Sequence, residues 1–353
     1  MSDEFRELLK KIGSGIHTSK NLTRTEAAKA TLMMLEQRAT PAQIGAFMIA
    51  HRIKRPTPEE LAGILDTYDL LSQKLSIANI PSSKTPVTFG LPYDGRSRSI
   101  PVTPITTLIL AAADVPVILH GGDCMPTKYG VPLVTIWQGL GVDFTRFSLS
   151  ESQAFLEQTG VGFIYLPKHF PLAHDIVPYR EQIGKRPTFA TAELAWSPVK
   201  EKIAIISGFV HPPTEERFVT TFKLREITNY TTVKGLEGSC DLSCNRTAII
   251  GMGDDGKFTR LLINPQDYSL NRSDLPLEST TELIAALRAV LEGKNSPLIP
   301  AVILNGGFYL WRLGIAATLE IGFNLTEEMI VNGTIRDKLK QLQNSTLSKS
   351  YKL

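Results

Sequence analysis

The rhythm of the chain changes once, near residue 85, and that change does most to fix the fold class. Before it, three helical patterns follow one another with no strand pattern between them. Thr23-x-x-Glu26 is a capping box ahead of Ala27, Ala28, Ala30, Leu32, Met33 and Leu35, which are spaced for one helical face. Thr40-Pro41 opens a second helix that buries Ile44, Phe47, Met48 and Ile53. Thr57-Pro58-Glu59-Glu60 opens a third, through Leu61, Ile64, Leu65, Tyr68 and Leu71. The Pro/Ser-rich stretch Ile80 to Pro86 reads as a linker. Beyond it, short apolar strands alternate with helices. Strands are expected at Val87–Phe89, Val115–Leu119, Gly162–Leu166, Ala204–Ser207, Ile227–Val233 and Ala248–Ile250, with helices through Ile105–Ala113, Val134–Trp137 and Ser150–Gln158. This alternation predicts an α/β domain with a mostly parallel sheet, whose ligands bind at the loops that follow the strands. The stretch after Leu342 is polar and predicts a frayed tail.

No apolar run approaches the roughly 18 residues of a membrane span, so no membrane contact is expected. The start, M-S-D-E-F-R-E-L-L-K-K, reads as a charged helix and not as a secretory leader. Three cysteines, Cys124, Cys240 and Cys244, point to a reducing cytoplasm rather than a disulfide framework. A formal charge of +3 excludes nothing, but basic residues cluster at Arg52-Lys54-Arg55, Arg96-Arg98 and Lys185-Arg186.

Four loops carry residues suited to chemistry. Gly90-Leu91-Pro92-Tyr93-Asp94-Gly95-Arg96-Ser97-Arg98 lies between a strand and a helix, where backbone N–H groups and two arginines suit an anion. An ordinary turn with two exposed arginines fits equally well. His120-Gly121-Gly122 follows a strand and suits a ligand, or else a satisfied structural histidine. Lys168 to Thr188 holds His169, His174, Arg180, Lys185 and Arg186; the five-residue spacing of its histidines is poor for zinc. Cys240 and Cys244 lack a matching pair nearby, which also argues against a metal site. Val233 to Ser239 offers Glu237 to Mg²⁺, or else a plain surface carboxylate.

Taken in order, these loops resemble the motifs of the anthranilate phosphoribosyltransferase family (glycosyltransferase family 3). Ala50-His51-Arg52-Ile53-Lys54 looks like part of that family's helical domain. Gly90 to Gly95 falls on its G-T-G-G-D-G phosphate loop, His120-Gly121-Gly122 on H-G-N, His169 to Arg186 on the H-x-P, P-x-R and R-T-x-F-N run, and Lys234 to Gly238 on D-G-x-D-E. The fit is better to the family's second, divergent branch, which includes nucleic-acid-binding members. The resemblance implies a small helical N-terminal domain, residues 1–82, joined by helices from about 170–185. A larger α/β domain over 84–342 and a polar tail at 343–353 complete the chain. It also implies a homodimer formed through the helical domain.

The resemblance further implies transfer of a phosphoribosyl group from phosphoribosyl pyrophosphate to anthranilate, a step of tryptophan biosynthesis, through a transition state like an oxocarbenium ion. Gly90, Asp94, Gly95, Arg96, Arg98, Thr103, His120, Gly121 and Lys128 would then line the phosphate side. His169, Arg180, Lys185 and Arg186 would line the acceptor side, with Arg186 on the acceptor carboxylate. Glu237 would hold Mg²⁺, which is implied only for an active transferase; otherwise no cofactor is expected. Several motif positions depart from the pattern. Leu91, Pro92 and Tyr93 replace Thr, Gly and Gly; Gly122 replaces Asn; Ile100-Pro101-Val102-Thr103 replaces N-x-S-T; and one carboxylate, Glu237, remains of two. Because each lost donor weakens leaving-group stabilisation, the expected reading is a basic interdomain cleft binding single-stranded nucleic acid or another polyphosphate. The alternatives are an active phosphoribosyltransferase acting on anthranilate or a related aromatic amine, and a pseudoenzyme working through protein contacts.

Overall fold

The computed structural model describes residues 3–15 and 17–350. Four helices open the chain: α1 (Asp3–Gly13), α2 (Arg24–Leu35), α3 (Pro41–Lys54) and α4 (Pro58–Leu71). Thr23, Thr40 and Thr57 each cap a helix through a reciprocal box with Glu26, Gln43 and Glu60, so the local signals of the sequence are realised. Ile53 departs from expectation: it is 70% exposed, not buried.

The α/β domain then runs β1 (Val87–Gly90), α5 (Thr103–Ala112), β2 (Val117–Gly121), α6 (Leu133–Gly139), α7 (Leu149–Thr159) and β3 (Val161–Tyr165). Short helices α8 (Leu166–His169), α9 (Pro171–His174), α10 (Val177–Ile183) and α11 (Phe189–Ala192) follow, and α10 packs back on α3. The chain returns to the sheet through β4 (Ala204–Gly208), α12 (Pro212–Leu224), β5 (Tyr230–Val233), β6 (Ala248–Asp254) and β7 (Lys257–Ile263). It ends in α13 (Thr280–Leu291), α14 (Ile299–Arg312), α15 (Leu319–Val331) and α16 (Thr334–Ser350). The polar stretch after Leu342 therefore continues the last helix as far as Ser350 and is not a frayed coil there.

The sheet order is β3-β2-β1-β4-β5-β6-β7. Strands β1 to β5 pair in parallel; β6 and β7 add an antiparallel hairpin at one edge. Parallel strands are covered on both faces, and β1, β2 and β4 are buried throughout. One core, around Trp137, Phe144, Phe155 and Phe163, fills one face of the sheet. A second, around Tyr68, Phe170, Phe189 and Trp196, joins the helical domain to the other face. Strand order reverses between β1 and β4, and at such a switch point the loops leaving the sheet diverge and open a crevice.

Glu60 anchors the helical domain. Its carboxylate is fully buried and accepts from the N–H of Leu22 (2.7 Å) and of Thr57 (2.8 Å) and from Lys54 Nζ (2.8 Å), with His51 Nε2 at 3.2 Å. Burial alone would raise its pKa. The hydrogen bond and charge of His51, then Lys54 and the Leu22 N–H, outweigh burial and hold it at about 2. A carboxyl depressed in the folded state stabilises the fold above its unfolded value near 4.5, and that contribution is lost as pH falls towards 2. Urea titrations at a series of acidic pH values are expected to show stability falling across this window. In Glu60→Gln that part of the slope disappears; an unchanged slope would contradict the assignment.

Candidate functional site

The loops after β1, β2, β4 and β5 meet α10, α11 and the end of α3 around a cleft of about 580 Å³, within the usual range for a small-molecule site. Seven Lys or Arg side chains line it against three carboxylates, Asp94, Glu193 and Glu237. Part of this charge is internally matched. Arg180 and Glu193, 2% and 1% exposed, form a bidentate pair on the cleft floor, with Arg180 Nη1 also 3.3 Å from Met125 Sδ. Burial pushes the Glu193 carboxyl above its ordinary value even with Arg180 beside it. Arg186 clasps Asp94 through two nitrogens. Lys128 lies 2.6 Å from Glu237 and donates to the Gly95 carbonyl at 2.8 Å. Burial lowers the Lys128 pKa, against the pull of Glu237. Among the described residues four of these cations have no carboxylate within 3.5 Å: Arg52, Arg98, its side chain 79% exposed and 3.9 Å from Glu237, and Lys234 and Arg246 on the loop after β5. Arg52 reaches across from the helical domain and donates to the Arg186 carbonyl at 2.8 Å. Pro126, Phe209 and Val210 supply apolar wall.

The structure sorts the residues singled out in the sequence. Asp94, Arg98, Lys128, Arg180, Arg186 and Glu237 converge on the cleft. Others do not. Arg96 is only 4% exposed and points inward, ion-paired to Glu237 (3.1 Å) and Asp241 (2.9 Å). It cannot meet a ligand in the groove, because two carboxylates and a shell of protein already surround it. Thr103 donates to Asp241 Oδ1 at 2.7 Å, so its hydroxyl is spent inside the fold. His120 and Gly121 are the last residues of β2, not a loop. His120 is buried against Trp196 and hydrogen-bonds Tyr93 Oη through Nδ1, and burial lowers its pKa to about 3. His169 is buried between the Tyr165 N–H (3.0 Å to Nδ1) and the Phe147 carbonyl (3.0 Å to Nε2). His120 takes the structural alternative, and His169, expected on the acceptor side, is buried in the fold instead. Gly90 is required by packing, since a Cβ there would lie 1.9 Å from the Leu194 carbonyl oxygen. Gly95 adopts φ +73° with Val131 pressed against it, so it too serves the turn. Lys185 is exposed and lies off the cleft lining. Glu193, Asp241 and Arg246 were not anticipated; each lies outside the motifs singled out in the sequence, and no local pattern marks it.

Glu237 was expected to hold Mg²⁺, and its surroundings do not fit that ion. Its two oxygens accept from the N–H groups of Ser97, Arg98 and Ser99, at 3.0–3.1 Å, besides Arg96 Nε and Lys128 Nζ. Burial would raise its pKa, but the hydrogen bond and charge of Lys128, the charge of Arg96 and the Arg98 N–H hold it far below the usual carboxylate range. Among the described residues, no group of three or more His, Cys, Asp or Glu could hold a metal ion.

Two family profiles match the chain: the helical bundle domain of a glycosyl transferase family over residues 6–68, and its a/b domain over residues 94–336. The chain belongs to glycosyltransferase family 3, the anthranilate phosphoribosyltransferase family. Curated relatives carry that name. The anthranilate phosphoribosyltransferase of Azorhizobium caulinodans is 28% identical over 350 residues, covering 98% of this chain and 97% of the relative. That of Afipia carboxidovorans is 29% identical over 345 residues, covering 97% and 98%. Among solved structures, the Thermus thermophilus anthranilate phosphoribosyltransferase superposes with a TM-score of 0.79 at 18% identity, covering 98% of this chain and all of the other. The Saccharomyces cerevisiae anthranilate phosphoribosyltransferase in complex with PRPP and Mg superposes with a TM-score of 0.79 at 15% identity, covering 99% of each. These superpositions establish the fold: the small helical domain and the larger, mostly parallel α/β domain of the family. Among the described residues no helix is long and apolar enough to cross a membrane.

Proposed function

We propose that the interdomain cleft binds phosphoribosyl pyrophosphate and that the chain is a pentosyltransferase acting on an aromatic amine of the anthranilate type. The observation that carries this reading is the surplus of cations over carboxylates in a small-molecule-sized cleft at the β1/β4 switch point. The names of the full-length relatives support it over a nucleic-acid-binding role. Arg98, Lys234 and Arg246 hold the donor's phosphates, with Lys128 at the inner end. Arg186 receives the acceptor carboxylate in exchange for Asp94, and Pro126 and Phe209 flank the ring. As the bond from the ribose to pyrophosphate breaks, negative charge grows on the leaving group, and fixed cations stabilise it. The amine then forms its bond to the ribose carbon and releases a proton. Following anthranilate fluorescence tests this. A decline that requires phosphoribosyl pyrophosphate is the expected result, and no decline would defeat the transferase assignment.

A second reading rests on the same rim cations, which also suit a single-stranded nucleic acid. A short oligonucleotide that binds with a steep salt dependence, while the sugar diphosphate does not bind, would favour it.

A homodimer through the helical domain also belongs to this proposal. An apolar groove of about 750 Å³ lies between α1, α3 and α10, lined by Ile12, Ala46, Ile49 and Ile53, and Ile53 is 70% exposed. Ile53→Glu is expected to convert a dimer to a monomer in size-exclusion chromatography with light scattering. A wild-type monomer would contradict it.

A further inference from the structure

We infer that the Arg96 guanidinium is a built-in replacement for a divalent cation, so this cleft takes its phosphorylated ligand without metal. The inference rests on the donor-binding reading above and concerns how that site is neutralised. Arg96 sits at the centre of a shell of oxygens: Glu237 Oε1 (3.1 Å), Asp241 Oδ2 (2.9 Å), Ser239 Oγ (2.9 Å) and Ser99 Oγ. Two carboxylates and two hydroxyls around one buried cation form the oxygen-rich, doubly anionic environment that a hard divalent ion requires. Here the cation is a side chain of the protein and cannot leave.

Most of the remaining oxygen capacity is also taken. A carboxylate offers about four lone-pair sites. Those of Glu237 are filled by three backbone N–H groups, Arg96 and Lys128. Asp241 accepts from Arg96 and the Val102 N–H on Oδ2 and from Thr103 on Oδ1. A metal entering this shell would have to displace N–H and O–H donors and sit against a guanidinium, with a single lone-pair site, on Asp241 Oδ1, left to receive it. Ligand charge then falls to Arg98, 3.9 Å from Glu237, and to Lys234 and Arg246, which have no carboxylate partner among the described residues.

Two titrations test this. Calorimetry with inorganic pyrophosphate in EDTA and in excess Mg²⁺ is expected to give an affinity no lower in EDTA, because Mg²⁺ only competes for the ligand. Binding that requires Mg²⁺ would overturn the inference and leave the donor-binding reading standing. In the second, Mn²⁺ is added to the protein alone and its melting temperature followed. The wild type is expected not to shift, and Arg96→Lys likewise. Arg96→Ala is expected to melt lower and to recover with Mn²⁺, which would enter the vacated shell. A Mn²⁺-dependent rise in the wild type that is lost in Glu237→Gln would overturn the inference. If Arg96→Ala does not fold, the wild-type arms decide. No pyrophosphate binding in either buffer would remove the donor-binding reading, and the Mn²⁺ titration would still decide the role of Arg96.

Discussion

Arg180→Ala is expected to destabilise the protein by about 3–5 kcal/mol, because it strands a buried carboxylate. Glu193 is 1% exposed, and its bidentate contact with Arg180 supplies its counter-charge. Truncating Arg180 leaves Glu193 either charged without a partner or protonated at a cost. The same change removes the side chain that seals the cleft floor against Met125, and so loosens the seam between α10 and the sheet. Replacing both partners together, as Arg180→Met with Glu193→Leu, is expected to recover most of the loss, since a matched apolar pair leaves no orphaned charge. Urea unfolding of the single and double variants checks this. A single variant with wild-type stability would show that the pair is not ionised in the folded state.

The second large effect concerns ligand binding. Arg98→Ala, Lys234→Ala and Arg246→Ala combined are expected to weaken phosphoribosyl pyrophosphate binding by at least ~100-fold, or about 3 kcal/mol, given ~1.5–3 kcal/mol for each charged hydrogen bond and incomplete additivity. Arg98 and Arg246 are exposed and Lys234 is half-buried at the rim, so the fold is expected to melt normally. The salt dependence of what binding remains should flatten, because fewer phosphate contacts are made. An unchanged affinity would place the phosphates elsewhere.

Features set by neighbours in the chain were legible in the sequence. The capping box at Thr23 and the helix start at Thr57-Pro58 are set within a few residues, and the structure realises both. The parallel strands were found within two or three residues because they are apolar runs bounded by turns. The β6–β7 hairpin was cut short at Ile250, since Gly251 and Gly253 break the apolar run and β7 is largely exposed. Gly253 in fact makes room for the Tyr230 ring of the neighbouring strand, a cross-strand requirement invisible along the chain.

The site shows the same division. Arg96 and Arg98 stand two residues apart in one loop and look alike as letters. One is 4% exposed and the other presents its side chain to solvent, and the difference is made by Asp241, 145 residues away from Arg96. His120 and His169 were found as strand-associated candidates, yet only the packed structure shows the carbonyl and aromatic partners that make them structural. Glu237 was expected as a metal ligand and lines the cleft, but its partners are N–H groups from a loop about 140 residues earlier, which turns a candidate metal ligand into the anion of an internal ion cluster.

Calorimetric titration of the wild-type protein with phosphoribosyl pyrophosphate tests the central claim most directly. Saturable binding at one site per chain, weakening with added salt and at least ~100-fold weaker in the triple rim variant, is the predicted result. Heats no larger than dilution, from a protein that melts cooperatively, would contradict it.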